Sequence, residues 1–228
     1  MAASLALVMG LAPAAAQTPD QQQPATPEEP RLPGEPALPD APPMPPTPDE
    51  MPAIEEALSG LEIPSEELGR EAQLEALFRQ LGDAENPHWP IIQGQIWRVW
   101  RRSGSASMDL LLHRAQEAIE KKDYTTAFVH LDDLVRLAPE FAEGWNQRAT
   151  AYFLTEDYGR SMRDIEAVLA LEPRHFGALS GLGIILDRTG NDAGALRAFR
   201  RALELHPNLP GAQKGVDKLS EQVDGQEH

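Results

Sequence analysis

The sequence predicts an all-α fold, a right-handed solenoid of antiparallel helix hairpins. Three observations carry that prediction. Pro139, Pro173 and Pro207 recur every 34 residues, each after a Leu-Ala, Leu-Glu or Leu-His pair. Counting units from Met108, Ala142 and Phe176, small residues return at the eighth position (Ala115, Ala149, Gly183) and the twentieth (Ala127, Ser161, Ala195). Large apolar residues return at the twenty-fourth, as Leu131, Ile165 and Phe199. A fixed period of this length marks stacked helical hairpins, each too small to bury its apolar face alone. Small side chains let paired helices approach, large ones fill the space between hairpins, and proline stops the second helix.

Within the units, helices are expected at 108–121 and 124–137, 142–155 and 158–171, and 176–189 and 192–205. Asp123, Asp157 and Asn191 stand where the second helices need N-caps. Beyond Pro207, residues 210–223 read as a closing helix with Ala212, Val216, Leu219 and Val223 inward and a polar outer side, as the open end of a solenoid requires. Ahead of the units, Ser65 with Glu66 and Glu67 suggests a helix start, and Leu74, Leu77, Phe78 and Leu81 form an amphipathic stripe ended by Gly82. Asn86-Pro87 and Trp89-Pro90 interrupt it. Ile92, Ile96, Trp97 and Trp100 then form a second stripe to about Arg102. Residues 65–104 therefore read as a degenerate hairpin capping the start of the stack.

The pattern resembles the tetratricopeptide repeat, over units 108–141, 142–175 and 176–209. The second unit has Trp145, Ala149, Tyr152 and Pro173 at the family's tryptophan, small-residue, tyrosine and proline positions. The third has Leu182, Gly183, Ala195, Phe199, Ala202 and Pro207 at the family's positions. The first departs more, with Leu111, Ala118 and Leu134 where the family has tryptophan, tyrosine and alanine.

Upstream, residues 4–12 are a short apolar run, and Ala14, Ala15 and Ala16 before Gln17 resemble a cleavage site; 1–16 therefore read as a secretory signal peptide, although no Lys or Arg precedes the run. A periplasmic location is expected on this ground, with a cytoplasmic one as the alternative. Residues 17–64 are dense in Pro, Asp and Glu and are expected to form a disordered spacer. A Pro-rich ligand for a partner domain and a tail folding back onto the groove are the other readings of that arm. The net charge of −16 argues against a nucleic-acid ligand, whose phosphates attract basic surfaces. There is no cysteine, which excludes disulfides and thiolate metal sites. Apart from the apolar run near the N-terminus, no stretch approaches membrane-spanning length.

No catalytic, cofactor or metal site is expected. The histidines (His88, His113, His130, His175, His206, His228) make no metal-binding spacing. Gly181 and Gly183 lack the third glycine of a dinucleotide loop and occupy packing positions. Asp132 and Asp133 read as a solvated helix face. Trp97, Arg98, Trp100, Arg101 and Arg102 read as packed cap tryptophans with solvated arginines, not as a nucleic-acid patch.

The family resemblance implies a concave groove lined by the first helix of each hairpin, through its second, fifth, ninth, twelfth and thirteenth positions. Carried over, these are Asp109, Leu112, Gln116, Ile119 and Glu120; Glu143, Asn146, Thr150, Phe153 and Leu154; and Gly177, Ser180, Ile184, Asp187 and Arg188. Asn146, Thr150, Phe153, Ile184 and Arg188 are the candidate partner-binding residues, combining an aromatic anchor, hydrogen-bonding groups and a cation. For Phe153 and Ile184 the competing reading is packing between hairpins. The chaperone-tail clamp known in the family would need Leu112, Gln116, Gln147, Glu143 and Gly181 to be Lys, Asn, Asn, Lys and Arg, so that ligand is not expected. The function expected is a non-catalytic adaptor binding a protein or peptide segment. The alternative is a self-associating component of envelope assembly.

Overall fold

The computed structural model describes residues 63–65 and 67–224, with side chains given to 220. The signal-like segment 1–16 and almost all of the arm 17–64 lie outside the described residues. Among those described, the chain forms nine helices: α1 (Arg70–Leu81), α2 (Trp89–Trp100), α3 (Ala106–Glu120), α4 (Tyr124–Leu137), α5 (Ala142–Leu154), α6 (Tyr158–Leu171), α7 (Phe176–Arg188), α8 (Asp192–Leu205) and α9 (Pro210–Asp224). They pack pairwise as antiparallel hairpins, α3 with α4, α5 with α6 and α7 with α8, each hairpin on the next, and α9 closes against α8.

The three intra-hairpin turns share one geometry. Lys122, Glu156 and Gly190, 34 residues apart, have φ of 57°, 62° and 77°. The following amide bonds back five residues: Asp123 N to Ala118 O, Asp157 N to Tyr152 O and Asn191 N to Leu186 O, each 2.8 Å. This is the left-handed closure that satisfies the last carbonyls of a helix. That same following residue caps the next helix, since Asp123 accepts from Thr126 N, Asp157 from Arg160 N and Asn191 from Gly194 N. One short segment thus ends one helix and starts its partner, which fixes the hairpin.

Between hairpins, contact is close because one side is small. A Cβ on Gly144 would stand 3.1 Å from Leu134, Ala151 is fully buried in the same seam, and Ile185 is buried at the next. Phe199 fills the last seam. Its ring lies between Gly183 of α7 and Gly215 of α9, and a Cβ on either would stand 2.5 Å from it.

The leading hairpin departs from expectation in two ways. Helix α1 begins at Arg70, not Ser65, because 65–68 close into a turn (Leu68 N to Ser65 O, 3.1 Å) braced by the Gln73 amide, which donates to Ser65 O and Leu68 O. Trp89-Pro90 starts α2 rather than interrupting it, since proline in the first turn lacks a donor the helix would leave unpaired anyway. More importantly, α1 and α2 do not cap the first unit. Their buried Leu74, Leu77, Leu81, Ile92, Ile96, Trp97 and Trp100 share a core with Phe176, Leu179 and Phe199 of the third unit and with Leu209 and Leu219. Among the described residues, the leading face of the first unit is left without a neighbouring hairpin, and it presents both a charge and an exposed Leu110. Glu117 stands exposed where the next units bury Ala151 and Ile185.

Candidate partner-binding face

The expected partner-binding face falls on the first helices α3, α5 and α7, and many of its positions are already engaged by the chain itself. At the second position of each unit, Asp109 accepts hydrogen bonds from Ser103 (N 2.8 Å, Oγ 2.6 Å), Glu143 is fully buried, and Gly177 lies under the Trp97 ring. Glu143 accepts from Asn146 Nδ2 (3.2 Å) and Gln147 Nε2 (2.7 Å). His175 Nδ1 accepts from Ala178 N, so its other ring nitrogen carries the proton and faces Glu143 Oε2 at 3.4 Å. At the fifth position Leu112 and Ser180 are buried. At the twelfth, Asp187 is held by Lys218 of α9 at 2.7 and 2.8 Å.

Of the five candidate residues, Asn146 is half-buried and tied to Glu143, and the Thr150 hydroxyl donates to Asn146 O at 3.0 Å. Phe153 is only 4% exposed and packs with Ala149, Ile165, Val168, Ala178 and Ile185. It is core between hairpins and not an anchor open to a ligand. Ile184 is half-buried against the same residues. Arg188 is exposed, with its guanidinium 5.4 Å from the Phe153 ring centre and Nη1 donating to Tyr158 Oη at 3.2 Å. The structure therefore brings Phe153, Ile184 and Arg188 together, with Phe153 as the floor, while Asn146 and Thr150 satisfy groups of their own helix.

A second structural element of this region is a guanidinium that joins three helices. Arg148 donates from Nε and Nη2 to Asp164 (2.7 and 2.9 Å) and from Nη1 to Asp132 (2.8 Å). It also lies over Trp145 at 4.9 Å. It ties α5 to both α4 and α6, and the Asp164 hydrogen bonds outweigh burial and raise its already high pKa. No sequence signal marks it, because Arg, Asp and Asp are ordinary surface residues until the helices stack.

At the hairpin seam, burial by itself raises the Glu172 carboxyl. The hydrogen bonds and charge of Arg174, together with the Trp100 indole, outweigh it and hold the group below the usual carboxylate range. Arg174 also reaches Glu71 of α1 at 2.9 Å. His206, fully buried, meets Gln93 Oε1 at 2.7 Å, and burial pushes it down to about 4. Among the described residues no group of three or more His, Asp or Glu side chains is placed to hold a metal ion, and no helix is long and apolar enough to cross a membrane.

Comparison with known proteins agrees with this architecture. The tetratricopeptide repeat family matches residues 176–209. A TPR repeat-containing protein of Rhizobium etli is 44% identical over 154 residues, covering 67% of this chain and 76% of its own length. The small glutamine-rich tetratricopeptide repeat-containing protein 2 of Saccharomyces cerevisiae is 25% identical over 100 residues, 44% of this chain and 29% of its own. Among solved structures, the Sgt2 TPR domain of Aspergillus fumigatus matches with a TM-score of 0.51 at 20% identity, covering 54% of this chain and 83% of that one. The first TPR of Spaghetti (RPAP3), bound to the HSP90 peptide SRMEEVD, matches with a TM-score of 0.50 at 21% identity, covering 51% and 93%. With its 34-residue units, its shared turn geometry and the extent of the Rhizobium match, the chain belongs to the tetratricopeptide repeat family.

Proposed function

We propose that this protein is a non-catalytic adaptor that takes a partner segment on the part of its concave face left open by its own N-terminal hairpin. Arg188 carries this reading. It is an exposed cation pre-positioned by the Phe153 ring and the Tyr158 hydroxyl beside half-buried Ile184. A held side chain loses little further entropy on binding, so it suits an acidic or amphipathic segment. Gln116, Ile119, Thr150 and Leu154, all half-buried, extend the surface along α3 and α5. A domain of this fold is bound to an HSP90 peptide, which supports peptide binding in general. A chaperone tail is not the ligand proposed. Leu112 is buried, and Glu143 and Gln147 bond each other where a carboxylate clamp needs free cations and amides.

Crosslinking capture from cells, comparing wild type with Arg188→Glu and with the control Arg197→Glu on exposed α8 surface, tests the site. Loss of a specific partner in the first variant alone is expected. Retention of every partner by Arg188→Glu overturns it. Self-assembly end to end through the leading face would have to bury the exposed Glu117 carboxylate beside Leu110, and light scattering that stays monomeric over concentration accords with the adaptor reading. The apolar run 4–12 and Ala14, Ala15 and Ala16 support export to the periplasm. N-terminal sequencing is expected to find a mature chain starting near Gln17, and a cytoplasmic chain starting at Met1 refutes that.

A further inference from the structure

Helix α2 lies across the stack as a bound ligand would. Trp89, Gln93, Trp97 and Trp100 share one helix face, at i, i+4, i+8 and i+11. Trp100 stacks on His175 at 4.2 Å and 9°, meets Phe176 at 5.1 Å, and donates its indole N–H to Glu172 at 3.4 Å. Trp97 meets Phe176 edge-on at 5.6 Å and covers Gly177, where a Cβ would stand 2.9 Å from its ring. Gln93 bonds His206, and Trp89 packs on the same imidazole at 5.2 Å. The receiving strip is therefore Glu172, His175, Phe176, Gly177 and His206, at the end of α6, the start of α7 and the end of α8.

This seam differs from those between hairpins. Among the described residues, the buried side-chain nitrogens and oxygens without a hydrogen-bond partner are Trp97 Nε1, Arg101 Nε and Nη2, and His206 Nδ1. Three sit on α2 or its C-cap, and the fourth belongs to the imidazole whose other nitrogen meets Gln93 of α2. An unpaired buried polar group weakens the contact that buries it. The seams between hairpins instead bury alanine, glycine and isoleucine, and one is bridged by Arg148 to Asp132 of α4. The chain thus holds α2 less firmly than it holds its repeats.

We propose that this strip is a second protein-interaction surface, separate from the Arg188 face. Its ligand is an amphipathic helix of a partner protein carrying aromatic side chains at the α2 spacing, and α2 is the intramolecular occupant that such a helix displaces. Acid favours release. The groups against His206 (Gln93 and Trp89 from α2, Phe176 from α7) are uncharged, and burial holds its pKa at about 4 against an ordinary 6.5. Undocked, the imidazole takes up a proton below about pH 6.5. Docking is therefore strongest above that pH and weakens by about 30-fold at pH 5.

The full-length variant Trp97→Ala/Trp100→Ala removes the anchors of α2 and leaves the strip intact. A labelled synthetic peptide spanning residues 86–103 is titrated into it and into wild type at pH 7, with anisotropy and hydrogen exchange as readouts. The variant is expected to bind at least about 10-fold more tightly than wild type, whose tethered α2 competes at high effective concentration. Amides in the first turn of α7 should gain protection as the peptide binds. Failure of a variant with native exchange in α5 and α6 to bind, or equal binding by both proteins, overturns the proposal. Should the variant lose its α5–α6 protection, wild type alone decides. From pH 7 to pH 5, α2 and the first turn of α7 should open about 20-fold more often relative to α5 and α6, and His206→Gln should abolish the difference. Opening that changes uniformly along the chain refutes it.

Discussion

Replacing Gly183 with alanine should destabilise this protein even though alanine is the better helix former. Inside a helix the exchange normally gains about 0.5–1 kcal/mol. At Gly183 the new Cβ would stand 2.5, 2.6 and 2.8 Å from Cε1, Cδ1 and Cζ of Phe199. Carbon atoms at rest keep about 3.5–4.0 Å, so the ring would have to retreat by roughly 1 Å. It has nowhere to go. Its opposite edge faces Gly215 at the same closeness, and Phe199 is 2% exposed. Overpacking of this kind costs about 1–3 kcal/mol, and the trapped ring argues for the upper half, leaving a net loss of about 1–2 kcal/mol. Gly181, on the same helix, provides the control. Its nearest neighbour is Ile165 Cδ1 at 3.9 Å, an ordinary contact, so Gly181→Ala should gain about 0.5–1 kcal/mol. Urea unfolding followed by circular dichroism at constant m-value measures both. Adding Phe199→Leu to Gly183→Ala should recover part of the loss. A Gly183→Ala protein as stable as Gly181→Ala would refute the reasoning.

Other outcomes follow from the same contacts. Arg148→Met should cost about 2–4 kcal/mol, because it strands the buried Asp164 carboxylate. Asp132→Ala, which removes the exposed arm of the same clamp, should cost less than about 1 kcal/mol, and both are read from urea midpoints. Stability should fall with acid in two overlapping windows of the same sign. His206 is neutral when docked and charged when free, so its contribution is lost between about pH 6.5 and about 4; Glu172, with its folded pKa depressed, loses its contribution below the ordinary carboxylate value. Tryptophan emission follows this directly, since Trp89, Trp97 and Trp100 all lie in α2, and His206→Gln should leave only the lower window. Glu117→Ile places an apolar side chain on the open leading face where Ile185 packs in the third unit, and should produce concentration-dependent association in light scattering.

The candidate site was only partly legible. Arg188 and Ile184 were placed on the concave face by their register, and the structure sets them side by side. Phe153 occupies its predicted register too, but register does not distinguish the edge of a groove from the floor beneath it, and the next hairpin covers its ring. The hairpin α1–α2 was legible as two amphipathic helices and misread in its docking. Glu117 carried a usable signal, a charge at a position that Ala151 and Ile185 fill with apolar side chains. It marks a face with no neighbour.

The sequence alone determined the units: their period, the Asp and Asn caps, the small residues at the eighth and twentieth positions and the polar side of α9. Each of these is decided by residues within one repeat or its immediate neighbour, so periodicity is sufficient to read it. Only the tertiary structure decided where α2 rests, because Trp100 and Gln93 find Glu172 and His206 across 72 and 113 residues of chain. No local pattern encodes a contact between an aromatic stripe and imidazoles that become neighbours only after the repeats have stacked.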